Sequence, residues 1–193
     1  MELPERTKTC WCSLEQLQPE IVYRYKSLSS LNCRTRIFFY QKITTLLEAF
    51  EVKRFLFLGD LFHSFKNNEW LLFSAWVQRQ KAAMLLVEGN HDVIPATQFE
   101  QLGITVVDHW EEDAFYFSHY PTTSEDRFVF CGHLHPGVRL KGKGLQQLKM
   151  PCFFQSPQQL ILPAFGAFTG LHILSPKEED RVFVTTGKEV MEI

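Results

Sequence analysis

Four short polar clusters, Gly59-Asp60, Gly89-Asn90-His91-Asp92, Ser118-His119 and Gly132-His133-Leu134-His135, each follow directly on an apolar run. The runs are Phe55-Leu56-Phe57-Leu58, Met84-Leu85-Leu86-Val87, Phe115-Tyr116-Phe117 and Phe128-Val129-Phe130. A brief apolar run bounded by turn residues reads as a buried strand. In an open α/β sheet the carboxyl ends of the strands share one rim, so groups far apart in sequence meet there. This repetition constrains the chain to a fold that gathers the four clusters at one place. Glycine beside three of them lets the backbone turn or approach closely.

The segments around the runs define the rest of the architecture. Between Tyr40 and Phe50, Ile43, Leu46, Leu47 and Phe50 recur at helical spacing. Asn67 and Asn68 are placed to cap a helix running through Trp70, Leu72, Phe73, Trp76 and Val77. Helix and strand thus alternate in the first half, which indicates an α/β fold. The second half is mostly strand: Ile104 to Val107, Val138 to Leu140, Leu145 to Met150, Leu160 to Leu162, Leu171 to Leu174 and Val182 to Thr185. Lys141-Gly142-Lys143-Gly144 suits a hairpin connection. With no repeat or linker to divide it, the chain is expected to form one domain over residues 1–193.

Composition excludes some function classes. A formal charge of -2 argues against coating nucleic acid by bulk positive potential, while leaving room for a local basic patch. No apolar run approaches the roughly 20 residues that cross a bilayer, and the polar start lacks a signal-peptide core. The expectation is a cytoplasmic protein without a membrane partner. Cys10, Cys12, Cys33, Cys131 and Cys152 form an odd set without paired metal-finger spacing, consistent with free thiols in a reducing compartment.

A lone Gly-Asp is ordinarily a turn, and a lone histidine ordinarily a surface or hydrogen-bonded residue. Four such clusters recurring at strand ends point instead to a shared metal site. One carboxylate, one amide oxygen and several imidazoles suit Mn, Fe or Zn better than Ca, which prefers oxygen alone. A carboxylate such as Asp60 can bridge two cations, and paired cations promote water attack on phosphorus. Metal-assisted phosphoester hydrolysis is the reaction these residue types fit. His63, His109 and His172 lack that context and read as ordinary histidines, His63 being the one placed to approach substrate.

At these residues the chain resembles the calcineurin-like metallophosphoesterases, whose ordered signature includes GD, GNH followed by D or E, a later H, and GHxH. The resemblance implies a four-layer α/β/β/α sandwich and a two-metal site. It makes Asp60 the bridge, gives Asn90, His119 and His133 to one metal, and His135 to the other. It also makes His91 the residue that protonates the leaving group or stabilises the transition state, with Asp92 orienting its ring. Within the superfamily, GDLFHS with Asn67 and Glu69-Trp70, GHLHPGVRLKGKG, Pro151-Cys152-Phe153 and LPAFGAFTG are similar to the bacterial ligase-associated DNA damage response endonucleases. That likeness spans roughly Leu46 to Val184. It implies Mn-dependent phosphodiesterase activity on DNA in repair, and association with a repair ligase, helicase and exonuclease.

The chain departs from that pattern at its start. Family members carry an N-terminal Asp-x-His, whereas here no Asp precedes Asp60 and no His precedes His63, so residues 1–36 diverge. Two ligands of the first metal are missing from their usual place; natural loss, an altered reading frame, or substitute ligands such as Glu15, Glu20 or a cysteine would each account for this. Arg139, Lys141, Lys143 and Lys149 follow the His-x-His and suit backbone phosphates, although scattered charges on a solvated hairpin look the same. Three functions stay open: a DNA phosphodiesterase, a phosphatase or small-phosphodiester hydrolase, and a catalytically impaired scaffold of the same fold.

Overall fold

The structure, a computed structural model, describes residues 33–144, 146–164, 170–186 and 189–193. Among the described residues three helices and twelve strands run in the order α1 (Cys33–Ala49), β1 (Arg54–Phe57), α2 (Asn68–Val77), β2 (Ala83–Val87), α3 (Ala96–Glu100), β3 (Ile104–Val107), β4 (His109–Glu112), β5 (Phe115–Ser118), β6 (Phe128–Cys131), β7 (Pro136–Lys141), β8 (Gln147–Ser156), β9 (Gln159–Ile161), β10 (His172–Ile173), β11 (Arg181–Thr185) and β12 (Val190–Glu192).

These strands make two sheets. β1, β2 and β3 form a small sheet in that order, every pair parallel. The other nine form a mixed sheet in which β5 and β6 are parallel neighbours. Side-chain alternation fixes what each face of the small sheet meets. Phe55, Phe57, Met84, Leu86 and Ile104 face Tyr40, Ile43 and Leu47 of α1 and Trp70, Phe73 and Trp76 of α2. Leu56, Leu58, Leu85 and Val87 point the other way, onto Phe115, Phe117 and Phe130 of the large sheet. One residue of register decides helix side or sheet side, which is why continuous apolar runs were needed in β1 and β2.

The far face of the large sheet carries Val129, Cys131, Val138, Cys152, Phe154, Ile161, Val182 and Val184, which pack on one another as the sheet curls. Among the described residues, α1 and α2 therefore pack on one face of the small sheet and the large sheet packs on the other.

Local chemistry explains the boundaries. Asn67 caps α2, its side chain accepting from the Glu69 amide at 2.8 Å, as the Asn-rich start suggests. The loop between β1 and α2 is pinned by Phe62, which is 3% exposed and meets Trp70 and Phe73 edge-on at 5.5 and 5.1 Å. At the hairpin after β7, the Gly142 amide donates to the Gln146 carbonyl and Gly144 takes φ +72°. No described helix is long and apolar enough to cross a membrane.

Candidate metal centre

All four clusters lie just beyond the carboxyl ends of parallel strands: Asp60 after β1, Asn90-His91-Asp92 after β2, His119 after β5, and His133 and His135 after β6. Adjacent parallel strands in each sheet thus supply one half of the site, and the packing of β1 and β2 onto β5 and β6 brings the halves together.

His119 is the hub. It is 3% exposed, and its Nδ1 lies 2.9 Å from the Leu58 carbonyl oxygen. A carbonyl only accepts, so Nδ1 carries the hydrogen and Nε2 of the neutral ring keeps its lone pair. Nε2 faces Asn90 Oδ1 at 3.1 Å, His133 Nδ1 at 3.2 Å and Asp60 Oδ1 at 3.5 Å. Two oxygens that only accept therefore lie beside Nε2, which carries a lone pair in the neutral ring, and a cation placed among the three would satisfy them all. One ligand atom each from Asp60, His119 and His133 lies within 4.8 Å of the others, close enough for one ion. The donor set fits a borderline divalent metal, and the hydrogen bond to Leu58 is the outer contact that fixes a ligating imidazole.

The loops that present these groups are locked by the Asp92 carboxylate. Its Oδ2 accepts from the Asp60 and Gly89 amides, both at 2.9 Å, and its Oδ1 accepts from the Phe62 amide at 3.0 Å. The expected bond from Asp92 to the His91 ring is not formed among the described residues. All its hydrogen bonds go to backbone amides of the two loops, because the carboxylate points back into the junction. Asp92 is thus a positioning residue for Asp60, and indirectly for His91, whose amide donates to Asp60 Oδ1 at 2.9 Å.

Close approach of the loops depends on two glycines. A Cβ at Gly89 would fall 2.3 Å from the Asp60 nitrogen and 2.4 Å from its Oδ1. One at Gly59, where φ is +81°, would fall 2.3 Å from His119 Nδ1. Gly132 differs: its nearest contact would be 3.6 Å, so the third glycine is not demanded by packing. Asp60, His133 and His135 themselves adopt φ of 55°, 63° and 49°, a left-handed conformation unusual for such residues and held here by the surrounding contacts.

His135 stands outside the trio of mutually close donors but feels the same charges. Burial holds its pKa below the ordinary histidine value, opposed by the Asp60 carboxylate and by a hydrogen bond to the Gly170 backbone. The His91 side chain is exposed, and among the described residues its ring nitrogens have no hydrogen-bond partner. The ring of His63 meets it at 5.4 Å, so the histidine expected to approach substrate does stand beside the site. His109 instead stacks on Tyr116 at 5.1 Å, and His172 pairs in β10.

Sequence reasoning missed Tyr120. The residue is 48% exposed, and its ring lies 4.5 Å from that of His133 and 5.0 Å from that of His119. The available signal was a large aromatic between a strand-end histidine and a proline. Arg139, Lys141 and Lys149 are exposed on β7 and β8, with Arg139 directly opposite Lys149 in register. Glu15, Glu20, Cys10 and Cys12, the suggested substitute ligands, lie outside the described residues, as does most of the Leu162-to-Gly170 motif.

The comparisons with known proteins agree with this geometry. Residues 36–183 match the family model of the calcineurin-like phosphoesterases. The chain belongs to that family. Among solved structures it is similar to the Pseudomonas putida nuclease MPE, with 26% identity and a TM-score of 0.70. That match covers 90% of this chain and 84% of the other. No curated protein gave a significant sequence match. This calcineurin-like phosphoesterase therefore has the α/β fold expected of it, and the family implies a divalent metal where the Asp60, His119 and His133 ligand atoms converge.

Proposed function

We propose that the chain is a Mn2+-dependent phosphodiesterase that cleaves DNA, acting in repair in the cytoplasm, alongside a ligase, helicase and exonuclease. The observation that carries the reading is the convergence of Asp60, Asn90 and His133 on His119 Nε2, with exposed His91 beside them. The likeness to a nuclease supports DNA as the substrate class. So does the hairpin: opposed like charges such as Arg139 and Lys149 destabilise a sheet, and phosphate anions between them relieve that cost.

In this reading Asp60, Asn90, His119 and His133 would hold one cation, and Asp60 and His135 would contribute to the other. A divalent ion there supplies an activated water and charge stabilisation for the phosphoryl oxygens. His91 donates a proton from its ring to the departing oxygen, and His63 flanks it on the solvent side. Arg139, Lys141 and Lys143 hold the neighbouring phosphates. Among the described residues Asp60 and His135 would leave that other cation, the first metal of the family pattern, under-ligated; unless N-terminal residues supply replacements, it should exchange more readily than the one at His119, and turnover should require excess metal.

The test compares hydrolysis of nicked and single-stranded DNA, bis(p-nitrophenyl) phosphate and p-nitrophenyl phosphate across a Mn2+ titration. Cleavage of DNA and the diester, with one tight and one weak metal step, is expected. Preferential cleavage of the monoester makes the protein a phosphatase, and no cleavage of any substrate makes it a binding scaffold.

A further inference from the structure

We infer that Tyr120 is a specificity-determining residue that stacks on the nucleobase next to the scissile phosphate. The inference rests on the proposed DNA phosphodiesterase activity and goes beyond it by assigning the base contact. Three observations carry it.

Tyr120 follows His119 directly, and its ring touches both histidines of the candidate centre, so anything bound at that centre passes its face. The residue is nearly half exposed, although burying an aromatic against water is ordinarily favourable, and the free surface is on offer to a flat apolar partner. Its position is also fixed in advance. Ser118 Oγ donates to the Tyr120 carbonyl at 2.6 Å, the Gly132 amide donates to the His119 carbonyl at 3.1 Å, and Pro121 restricts the Tyr120 backbone to extended conformations. A platform already ordered loses little conformational entropy when a base lands on it.

The neighbourhood has matching chemistry. Val93, directly after Asp92, is also partly exposed, and its amide donates to the Phe62 carbonyl, tying that loop to the one bearing Asp60. Cations on β7 and β8 suit the backbone, whereas the aromatic residues of β8, Phe153 and Phe154, are buried and offer no face to a base. Charge and stacking are thus divided between two places, as in sites that take unpaired nucleic acid through phosphates and base faces separately.

Two fluorescent oligomers of equal length separate these contributions: oligothymidylate, and an abasic chain with the same phosphates and no bases. Binding is followed by anisotropy on the full chain, with EDTA and again with Mn2+ on a His91→Ala background that keeps the oligomers whole. Tyr120→Ala and Tyr120→Leu are expected to weaken oligothymidylate binding by about tenfold to a hundredfold, with abasic binding unchanged and Tyr120→Phe near wild type. Tyr120→Leu keeps apolar bulk against the histidines, so it guards against a collapsed site. Equal weakening of both oligomers, or of neither, overturns the stacking role while leaving the DNA reading intact. If the unsubstituted protein binds neither oligomer, the DNA reading itself fails, and the assignment of Tyr120 falls with it.

Discussion

Asp60, Asn90 and His91 come from loops of the three-stranded sheet, whereas His119, His133 and His135 come from the nine-stranded one, and the two groups are held differently. In the first, two loops are pressed together, with Gly59 and Gly89 in contact and three backbone amides converging on Asp92. In the second, His119 and His133 inherit their spacing from the β5–β6 register, in which Ser118 pairs with Cys131. Cys131 and Val129 are fully buried there, and His119 is fixed by Leu58. One half depends on a few polar bonds and missing side chains. The other depends on a sheet that many residues maintain, so single substitutions should damage the halves unequally.

The largest contrast is between two glycines. Gly89→Ala places a methyl within 2.4 Å of Asp60 Oδ1 and closer still to its amide, neither of which can give without opening the Asp92 clamp. A distortion on the order of 3 kcal/mol or more is expected. Loss of tight Mn2+ binding by calorimetry and at least about a thousandfold loss of diester hydrolysis should accompany it, if the centre works as a unit. Gly132→Ala meets nothing closer than 3.6 Å and should change stability by less than about 1 kcal/mol. Equal effects of the two would remove the distinction between the halves.

The second contrast sets a ligand against a proton donor. His119→Ala should abolish tight Mn2+ binding, because Asn90, Asp60 and His133 all converge on its Nε2. His91→Ala should keep metal binding within a few-fold and lower turnover by about 100- to 10,000-fold, the usual worth of a positioned acid. Metal content by mass spectrometry beside single-turnover rates reads both. Lost metal in His91→Ala would move His91 into the ligand set.

These contrasts follow what the sequence disclosed and what it hid. The strands before each cluster were legible because apolar runs end in glycine and polar residues, and α2 was legible from its Asn cap. β4, with the sequence His-Trp-Glu-Glu, carries a single apolar residue and no readable alternation. It exists because it pairs with β5, Trp110 opposite Phe117, and because Glu112 meets Arg54 at 2.7 Å. β8 runs straight through Pro151, which reads as a breaker in a sequence but faces Gly137 across the ladder. The cluster of Asp60, His119 and His133 was legible from spacing at strand ends. The role of Asp92 was not, since its partners are backbone amides that no side-chain pattern marks, and Tyr120 carries no ligand chemistry to draw attention.

A smaller effect is expected away from both halves, at the hairpin. Replacing Lys141 and Lys143 together by Ala should weaken DNA binding roughly tenfold at low salt and lower the slope of log affinity against log salt by about 2. Hydrolysis of bis(p-nitrophenyl) phosphate, which has no extended backbone to hold, should stay within a factor of about two. An unchanged salt slope would return these lysines to ordinary solvated charges, and a parallel loss of diester hydrolysis would tie the hairpin to the chemistry instead.

The smallest effect probes how firmly the large sheet holds its half of the centre. Cys131, one residue before Gly132-His133, and Cys152 on β8 are fully buried, and burial pushes both thiols up to about 12. Since the thiolate is the reactive form, neither should be alkylated by iodoacetamide at pH 8 while the chain is folded, and both should react once urea unfolds it. The pH dependence of stability follows in sign. Unfolded thiols release their protons near 9, the ordinary value, whereas the folded ones hold them until about 12. Between those values the unfolded chain binds fewer protons, so titration of these two thiols should leave stability unchanged at pH 7 and erode it progressively above pH 9. Urea titrations of the unsubstituted chain and of a Cys131→Ala, Cys152→Ala variant at pH 7, 9 and 10 read this: the variant should show a packing loss at pH 7 that the thiol titration progressively offsets at the upper end. Native-state alkylation of Cys131 as fast as in urea would mean that β6 opens readily. The half of the centre bearing His133 would then be no better held than the half clamped by Asp92.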